Sequence, residues 1–232
     1  MSPYKHYSFD LWMTLIKSNP AFKQERTNFF YATFNQGYKT IEEIAAIFRR
    51  VDLMCNAINE KTGGSITSEQ MYLMVISEMN DYSNAFENVD LAQLYNEMEQ
   101  LLFKHLPEVY CGNTAKVLDK IKQNEGVTVS LLSNTAFIKG RSLREVLKRI
   151  ELESYFDFQL YSDETGFSKP NKQMFHLMLN NVAEVRNMGA ISTKEIVHIG
   201  DNVLADIYGA NATGIHGILI NSNNVSITSL LN

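Results

Sequence analysis

The chain contains 232 residues, of which 45% are hydrophobic and 20% are charged. This composition supplies enough apolar material for one large or two small domains and argues against an intrinsically disordered protein. A formal net charge of -5 argues against nucleic acid as a partner, and no apolar run approaches the roughly 20 residues that a membrane-spanning helix needs.

The first predicted element is a strand near the N-terminus, within residues 4–15. A short apolar stretch there ends in Asp10 and is followed by Thr14, a pattern typical of a strand that runs into a loop. A single strand cannot form a sheet, so this segment is expected to pair with strands from elsewhere in the chain.

From residue 17 to residue 106 the pattern is helical, because apolar residues recur every three to four positions. Four helices are predicted in this stretch, at 20–36, 40–60, 68–81 and 89–105. Three of them begin after residues that commonly cap a helix N-terminus: Thr40, Thr67 and Asp90. The stretch 17–106 is therefore predicted to be an all-helical domain.

After residue 107 helices alternate with short apolar strands, the pattern of a mostly parallel sheet covered by helices. The predicted helices are 113–124, 140–150 and 171–186, and the predicted strands are 127–132, 156–161, 196–199 and 215–220. Joining these strands to the N-terminal one predicts a doubly wound parallel α/β core. That core would consist of residues 1–16 and 107–232, with the all-helical domain 17–106 inserted into it.

Polar side chains stand where the predicted strands would end. In an open α/β sheet, ligands bind outside the carboxyl ends of the strands. The polar residues at or near these ends are Asp10, Ser133, Asn134, Lys169, Asp201 and Asp206. A lone Asp after a strand is commonly a helix cap, and Ser-Asn is ordinary turn chemistry. As a set, however, these carboxylates, a hydroxyl and a cation suit a Mg²⁺ ion and a phosphoryl group.

The order and spacing of these residues resemble the haloacid dehalogenase-like (HAD) hydrolase superfamily. Its four motifs are matched by FDLWMTL, SLLSNT, GFSKPNKQMF and IGDNVLAD, which contain Asp10, Ser133, Lys169, and Asp201 with Asp206. The helical stretch between the first two motifs resembles the helical cap of one subclass. The resemblance covers nearly the whole chain and implies a Rossmann-type parallel sheet with an inserted helical cap.

The resemblance also implies a role for each matched residue. Asp10 would be the nucleophile that forms an aspartyl ester with the substrate. Ser133 would donate a hydrogen bond to the transferring group, and Lys169 would neutralise negative charge on it. Three further residues are expected to contact the substrate: Trp12, Thr14 and Asn134.

By the same resemblance the cofactor would be Mg²⁺. Its expected ligands are the carboxylates of Asp10, Asp201 and Asp206 and the backbone carbonyl of Trp12. Hard oxygen ligands of this kind suit Mg²⁺. The two cysteines of the sequence lack the Cys/His spacing of a zinc site.

Two residues depart from the family pattern. Phosphatases of the family usually carry a second Asp two residues after the nucleophile as general acid and base, and here Trp12 stands at that position. Tryptophan cannot transfer a proton at neutral pH, and losing general acid–base catalysis typically costs about 100-fold to 10,000-fold in rate. Met13 stands where a glycine is usual.

Three functions are therefore compatible with the sequence. The favoured one is a Mg²⁺-dependent phosphatase acting on a small phosphorylated metabolite. The 2-haloacid dehalogenases also have an aromatic residue at the Trp12 position but use no metal. Asp201 and Asp206 argue against them, because an uncompensated acidic pair would repel the nucleophile and an anionic haloacid. The third is a binding or regulatory protein without efficient turnover, which Trp12 and Met13 favour.

The remaining expectations concern the setting of the protein. We expect a cytoplasmic monomer or homodimer whose partner is a small molecule, with no nucleic-acid or membrane partner.

Overall fold

The computed structural model describes residues 4–83, 87–186 and 191–231. Within them the strands are β1 (His6–Phe9), β2 (Ile16–Lys17), β3 (Glu108–Val109), β4 (Thr128–Ser133), β5 (Phe158–Tyr161), β6 (Ile196–Gly200) and β7 (His216–Leu219). The α-helices are α1 (Pro20–Phe34), α2 (Ile41–Thr62), α3 (Ser68–Met79), α4 (Leu91–Lys104), α5 (Thr114–Lys122), α6 (Gly140–Arg149), α7 (Ser162–Thr165), α8 (Lys172–Val185) and α9 (Gly209–Asn211). None of these helices combines the length and the apolar content needed to cross a membrane.

Five of the described strands form one parallel sheet in the order β5-β4-β1-β6-β7. The N-terminal strand β1 lies at its centre. Phe9 is in register with Leu131 of β4 on one side and with Ile199 of β6 on the other. The predicted pairing of the N-terminal strand with C-terminal strands is confirmed, and so is the doubly wound α/β fold.

The two faces of this sheet differ in polarity, because side chains alternate between faces along each strand. Phe9 and Leu131 belong to an apolar cluster that includes side chains from α5 and α6. The opposite face carries His6 and Ser8 of β1 and His198 of β6, all buried. Helix α8 covers this polar face, where Phe175 meets the His198 ring edge to face at 5.4 Å.

His6 shows how polar groups are accommodated inside this face. Its ring nitrogens hydrogen-bond the hydroxyls of Thr128 and Ser130 at 2.8 and 2.9 Å, and its ring stacks on Phe158 at 5.7 Å. Burial is the main cause that lowers the pKa of His6 to about 3, with the positive charge of Arg186 adding to it. The ring is therefore neutral at neutral pH.

Helices α1–α4, together called the helical unit, surround an apolar core of their own that includes Phe30, Ile44 and Met98. The predicted caps are confirmed: Thr40 and Thr67 form capping boxes, and the Asp90 side chain accepts a hydrogen bond in the first turn of α4. Helix α2 runs two residues past its predicted end, to Thr62. It stops there because Gly63 adopts a left-handed conformation with φ 73°.

A two-stranded antiparallel ribbon was not predicted. Ile16 of β2 pairs with Val109 of β3, and Lys17 pairs with Glu108. Strands of two residues are too short to show a hydrophobic period. The ribbon lies where the chain leaves the sheet core and returns to it, close to the predicted boundaries after residues 16 and 106. The division into domains at those positions stays a prediction.

Replacing His6 with glutamine should weaken the pH dependence of stability. Its pKa of 6.5 in the unfolded chain falls to about 3 in the fold, so below pH 6.5 the unfolded chain binds a proton that the folded chain excludes. The neutral ring thus stabilises the fold above pH 6.5, and this contribution is lost as the pH falls, at up to about 1.4 kcal/mol per pH unit. Urea unfolding of both proteins from neutral pH down to about pH 4.5 measures the slopes. Equal slopes would contradict this account of His6.

Candidate active site

The predicted site residues converge on the carboxyl edge of the parallel sheet. Strands β4, β1 and β6 are neighbours. Ser133 ends β4, Asp10 follows β1 and Asp201 follows β6. Because these strands are parallel, their carboxyl ends meet at one edge, and the structure brings the motif residues together there.

A buried ammonium group links two carboxylates at this edge. Lys169 is 1% exposed, and its Nζ donates to Oδ1 of Asp10 and to Oδ1 of Asp206, each at 2.7 Å. Burial acts to lower the pKa of Lys169, but the two carboxylates outweigh it and raise the pKa, so the lysine stays charged. The Asn134 amide accepts from the Lys169 N–H at 2.7 Å and donates to the Lys169 carbonyl at 3.0 Å. Asn134 therefore fixes the loop that carries the lysine.

Asp206 is held on both carboxylate oxygens. Its Oδ1 lies 3.1 Å from Nε2 of His198, and its Oδ2 accepts from the Asn202 N–H at 3.0 Å. Burial acts to raise the pKa of Asp206, but Lys169 and the His198 hydrogen bond outweigh it and hold the pKa well below its ordinary range. A carboxylate can only accept, so Nε2 of His198 carries the hydrogen and Nδ1 accepts from Ser8, 2.9 Å away. Ser8 and His198, on the polar face of the sheet, thus hold Asp206 in position.

Asp10, Asp201 and Asp206 form an acidic cluster in which one oxygen of each lies within 4.8 Å of the others. Burial raises the pKa of Asp10 to about 7 against the opposing effect of Lys169. Burial and the nearby Asp206 raise the pKa of Asp201 to about 6. When all three carboxylates are ionised, the cluster and Lys169 together carry two negative charges in excess. The electrostatics of the site therefore favour a divalent cation.

The loop after β1 contains a strained backbone turn at Met13. Met13 has φ 59°, the left-handed region in which glycine avoids the steric penalty of a side chain. The side-chain amide of Asn221 donates to the Met13 and Thr14 carbonyls at 2.7 and 3.1 Å. This contact holds the turn in place. The left-handed conformation of residue 13 is the physical reason for the glycine that is usual at that position.

A cavity of about 480 Å³ lies between the sheet edge and the helical unit, within the size range of small-molecule sites. The core contributes polar and aromatic lining residues: Asp10, Trp12, Asn134, Lys169, Asp201 and Asp206. Helices α1 and α2 contribute the facing wall, which includes Phe22, Arg26, Phe48, Asp52 and Glu60. The helical unit touches the core beside this cavity, where the Asn202 side chain donates to Glu60 Oε1 at 2.8 Å.

Two predicted site residues lie outside the cavity lining. Thr14 and Ser133 are both fully buried. The Thr14 hydroxyl donates to Asp201 Oδ1 at 3.4 Å, and the Ser133 hydroxyl donates to the Asn134 carbonyl at 3.1 Å. In this arrangement Thr14 orients a carboxylate of the cluster. The substrate contacts expected of Thr14 and Ser133 stay predictions.

Three residues near the site were missed by sequence reasoning: His198, Asn221 and Arg26. The strand alternation could have found His198, since it precedes Gly200 by two residues and shares a face with it. Asn221 and Arg26 carry no local signal, because they reach the site only through the tertiary fold.

The sequence matches the family model of the haloacid dehalogenase-like hydrolases over residues 7–220. The chain belongs to this family. Individual HAD proteins share a low percentage of identical residues with this chain, but the alignments cover most of it. The ribulose-1,5-bisphosphate 5-phosphatase of Halopiger xanaduensis is 27% identical over 212 residues, covering 91% of this chain and 82% of that protein. Haloacid dehalogenase-like hydrolase domain-containing protein 3 of Bos taurus is 26% identical over 168 residues, covering 70% of this chain. The chain spans 60% of the length of that relative.

Solved structures share the fold. YfnB, a magnesium-bound HAD hydrolase from Bacillus subtilis, has a TM-score of 0.70 and 18% identity, covering 94% of this chain and 89% of that one. Structures of 2-haloacid dehalogenases also resemble the chain, so the fold by itself does not separate the two chemistries.

Replacing Gly200 with alanine should disturb the acidic cluster. A Cβ at this position would lie 2.1 Å from Oδ2 of Asp206, a carboxylate that Lys169, His198 and Asn202 hold in place. The free energy of unfolding should fall by about 1–3 kcal/mol, measured by urea denaturation. The matched control is Gly112→Ala, because a Cβ there meets nothing within 4 Å. It should change stability by less than about 0.5 kcal/mol, and an equal loss in both variants would contradict the prediction.

Proposed function

We propose that the protein is a Mg²⁺-dependent phosphatase that hydrolyses a small phosphorylated metabolite through an aspartyl phosphate on Asp10. The observation that supports this most is the Lys169 ammonium held between Asp10 and Asp206, beside Asp201, at the floor of a cavity of small-molecule size. The similarity to a bisphosphate phosphatase over 91% of the chain also supports phosphoryl chemistry.

The donor set fits the proposed metal. Mg²⁺ prefers oxygen ligands at about 2.0–2.1 Å in octahedral geometry. Asp10, Asp201 and Asp206 offer carboxylate oxygens within 4.8 Å of one another. Lys169 and His198 engage Oδ1 of Asp206, which leaves a lone pair on its Oδ2 for the metal. The Trp12 carbonyl is the further ligand that the family resemblance implies. When bound, the ion would neutralise the excess negative charge and let a phosphate dianion approach the carboxylates.

Asp10 would supply the attacking oxygen. Lys169 binds Oδ1 at 2.7 Å, so that Oδ2 is the oxygen left to attack phosphorus. The bond between phosphorus and the leaving oxygen would break as the aspartyl phosphate forms. Water would then attack phosphorus, release inorganic phosphate and regenerate the Asp10 carboxylate.

Lys169 would act by position and charge. It holds Asp10 in one orientation and would place a full positive charge, itself buried from solvent, beside the transferring oxygens. Asn134 lines the cavity and locks the lysine backbone, so the cation is already in place when the substrate arrives.

Trp12 leaves the departing oxygen without an acid at the usual position. The proton would then come from water, which penalises alkyl phosphates more than aryl or acyl phosphates, because alkoxide leaving groups are the more basic. We therefore expect aryl and acyl phosphates to be hydrolysed faster than alkyl phosphates, which the protein would hydrolyse slowly.

Asp10→Asn should reduce phosphate release to background, because an amide cannot form the aspartyl phosphate. Purified protein would be assayed on aryl, acyl and alkyl phosphates with Mg²⁺ and again with a chelator. Release should require both Asp10 and the metal. Undiminished turnover by Asp10→Asn would exclude the nucleophile assignment.

The same assay tests the dehalogenase alternative, which the aromatic Trp12 favours. The protein would be given 2-haloacids with and without chelator, and halide release would be measured. Halide release that persists in chelator would overturn the phosphatase proposal. Binding of Mg²⁺ without turnover of any compound would instead indicate a binding or regulatory protein.

Trp12→Asp should restore the missing acid and base. Turnover of alkyl phosphates should rise on the order of 10- to 100-fold relative to aryl phosphates, whose leaving groups gain less from protonation. The control is Trp12→Phe, which keeps an aromatic ring and adds no carboxyl group. A similar change in both variants would show that the ring, and not proton transfer, controls the rate.

A further inference from the structure

Arg26 of α1 lies in the wall of the cavity that faces the acidic cluster. Asp10 and Lys169 line the same cavity from the core side. Arg26 has no role in the proposed phosphatase mechanism. Its side chain nevertheless places a positive charge in the wall of the cavity.

The Arg26 guanidinium is buried without a protein anion bound to it. The residue is 8% exposed, its Nε is buried with no hydrogen-bond partner, and no hydrogen bond or ion pair joins it to any residue that the structure describes. Burying a charged group is unfavourable unless its donors are hydrogen-bonded. A buried guanidinium with unused donors is thus an incomplete arrangement that an anion in the cavity would complete.

Three aromatic rings surround the guanidinium. Its Cζ lies 3.9 Å from the centre of the Phe48 ring, 4.9 Å from that of Phe137 and 5.6 Å from that of Phe22. Cation–π contacts offset part of the burial cost and engage none of the N–H donors in a hydrogen bond to an acceptor. These donors are therefore available for a planar or tetrahedral oxyanion.

Asp52 is an acidic residue close enough to Arg26 to interact with its charge. It lines the same cavity, but its carboxylate contacts Arg49 at 3.5 Å and makes no hydrogen bond to Arg26. Burial raises the pKa of Asp52, and the positive charges of Arg26 and Arg49 act in the opposite direction by favouring its charged form. Asp52 therefore lowers the cost of burying Arg26 without occupying its donors.

We propose that Arg26 binds a second oxyanion, a carboxylate or a phosphate, at the end of the substrate remote from the phosphoryl group that Asp10 attacks. This inference rests on the proposed phosphatase function and narrows its substrates to phosphate esters with a second acidic group. A cavity of about 480 Å³ accommodates a metabolite of that kind. Arg26 is thus a specificity residue carried by the helical unit.

The competing explanation is that Arg26 only fastens the helical unit to the core. Phe137 belongs to the segment between β4 and α6, so the contact with its ring does join the two parts of the molecule. A purely structural arginine would affect all substrates alike, whereas a specificity residue discriminates between them.

Two matched pairs of compounds separate these explanations and the two sources of the oxyanion. For a carboxylate, 3-phosphoglycerate would be compared with glycerol 3-phosphate. For a phosphate, fructose 1,6-bisphosphate would be compared with fructose 6-phosphate. The wild-type protein should prefer the more acidic member of at least one pair by about tenfold or more in kcat/KM, the effect of a charged hydrogen bond.

Arg26→Met should reduce this preference by about 10- to 100-fold, and Arg26→Lys should retain part of it, because lysine keeps the charge but not the planar fork. The matched control is Arg50→Met, which removes a cation from α2 that pairs with Glu78 away from the cavity. Its preference should stay within about twofold of wild type. A preference that survives in Arg26→Met would overturn the proposal.

Calorimetric titration of both pairs of compounds provides a readout independent of turnover. The proteins would be Asp10→Asn alone and Asp10→Asn combined with Arg26→Met or with Arg26→Lys, so that no ester is hydrolysed. Tighter binding of the carboxylate or of fructose 1,6-bisphosphate should depend on Arg26. If phosphate esters are hydrolysed but neither pair shows a preference, this inference fails and the phosphatase proposal stands. If no aryl, acyl or alkyl phosphate is hydrolysed, the phosphatase proposal fails, and equal binding with and without Arg26→Met would then contradict the role of Arg26 as well.

Discussion

The ionic contact of Lys169 with Asp10 and Asp206 is the interaction on which the site depends. Without that ammonium, three carboxylates would share one buried corner, and at least one would have to be protonated. Removing one partner from a buried ion pair is destabilising by about 3–5 kcal/mol, because the other partner is left buried and uncompensated. The contact therefore stabilises the fold, and in the proposed mechanism it also orients Asp10 for attack.

Much of the surrounding fold holds this contact in place. Asn134 grips the lysine backbone, His198 and the Asn202 N–H bind Asp206, and the missing side chain of Gly200 leaves room for that carboxylate. His198 is oriented in turn by Ser8, on the face of the sheet that α8 covers. Burying polar groups on a sheet face is unfavourable unless they are hydrogen-bonded. Here the hydrogen bonds from Ser8 to His198 and from His198 to Asp206 connect the buried face to the active site.

The sequence predicted those parts of the structure that depend on local pattern. The alternation of strands and helices, the capping residues Thr40 and Thr67, and the four motifs were all readable, since each follows from neighbouring residues. The ribbon of β2 and β3 was too short to show a period. The π-helical segment Val203–Tyr208, which carries Asp206, was not predicted either. The position of Arg26 in the cavity wall could not be predicted, because it depends on how the helical unit sits on the core.

In the proposed site the acidic cluster binds Mg²⁺ and presents Asp10 to a phosphoryl group. A crystal structure with Mg²⁺ and orthovanadate, an analogue of the phosphoryl group in transit, tests it directly. The metal should be bound by carboxylates of the cluster, and vanadium should be bonded to Oδ2 of Asp10, with Lys169 in contact with the vanadate oxygens. A metal-free cluster at saturating Mg²⁺, or vanadate bound away from Asp10, would contradict it.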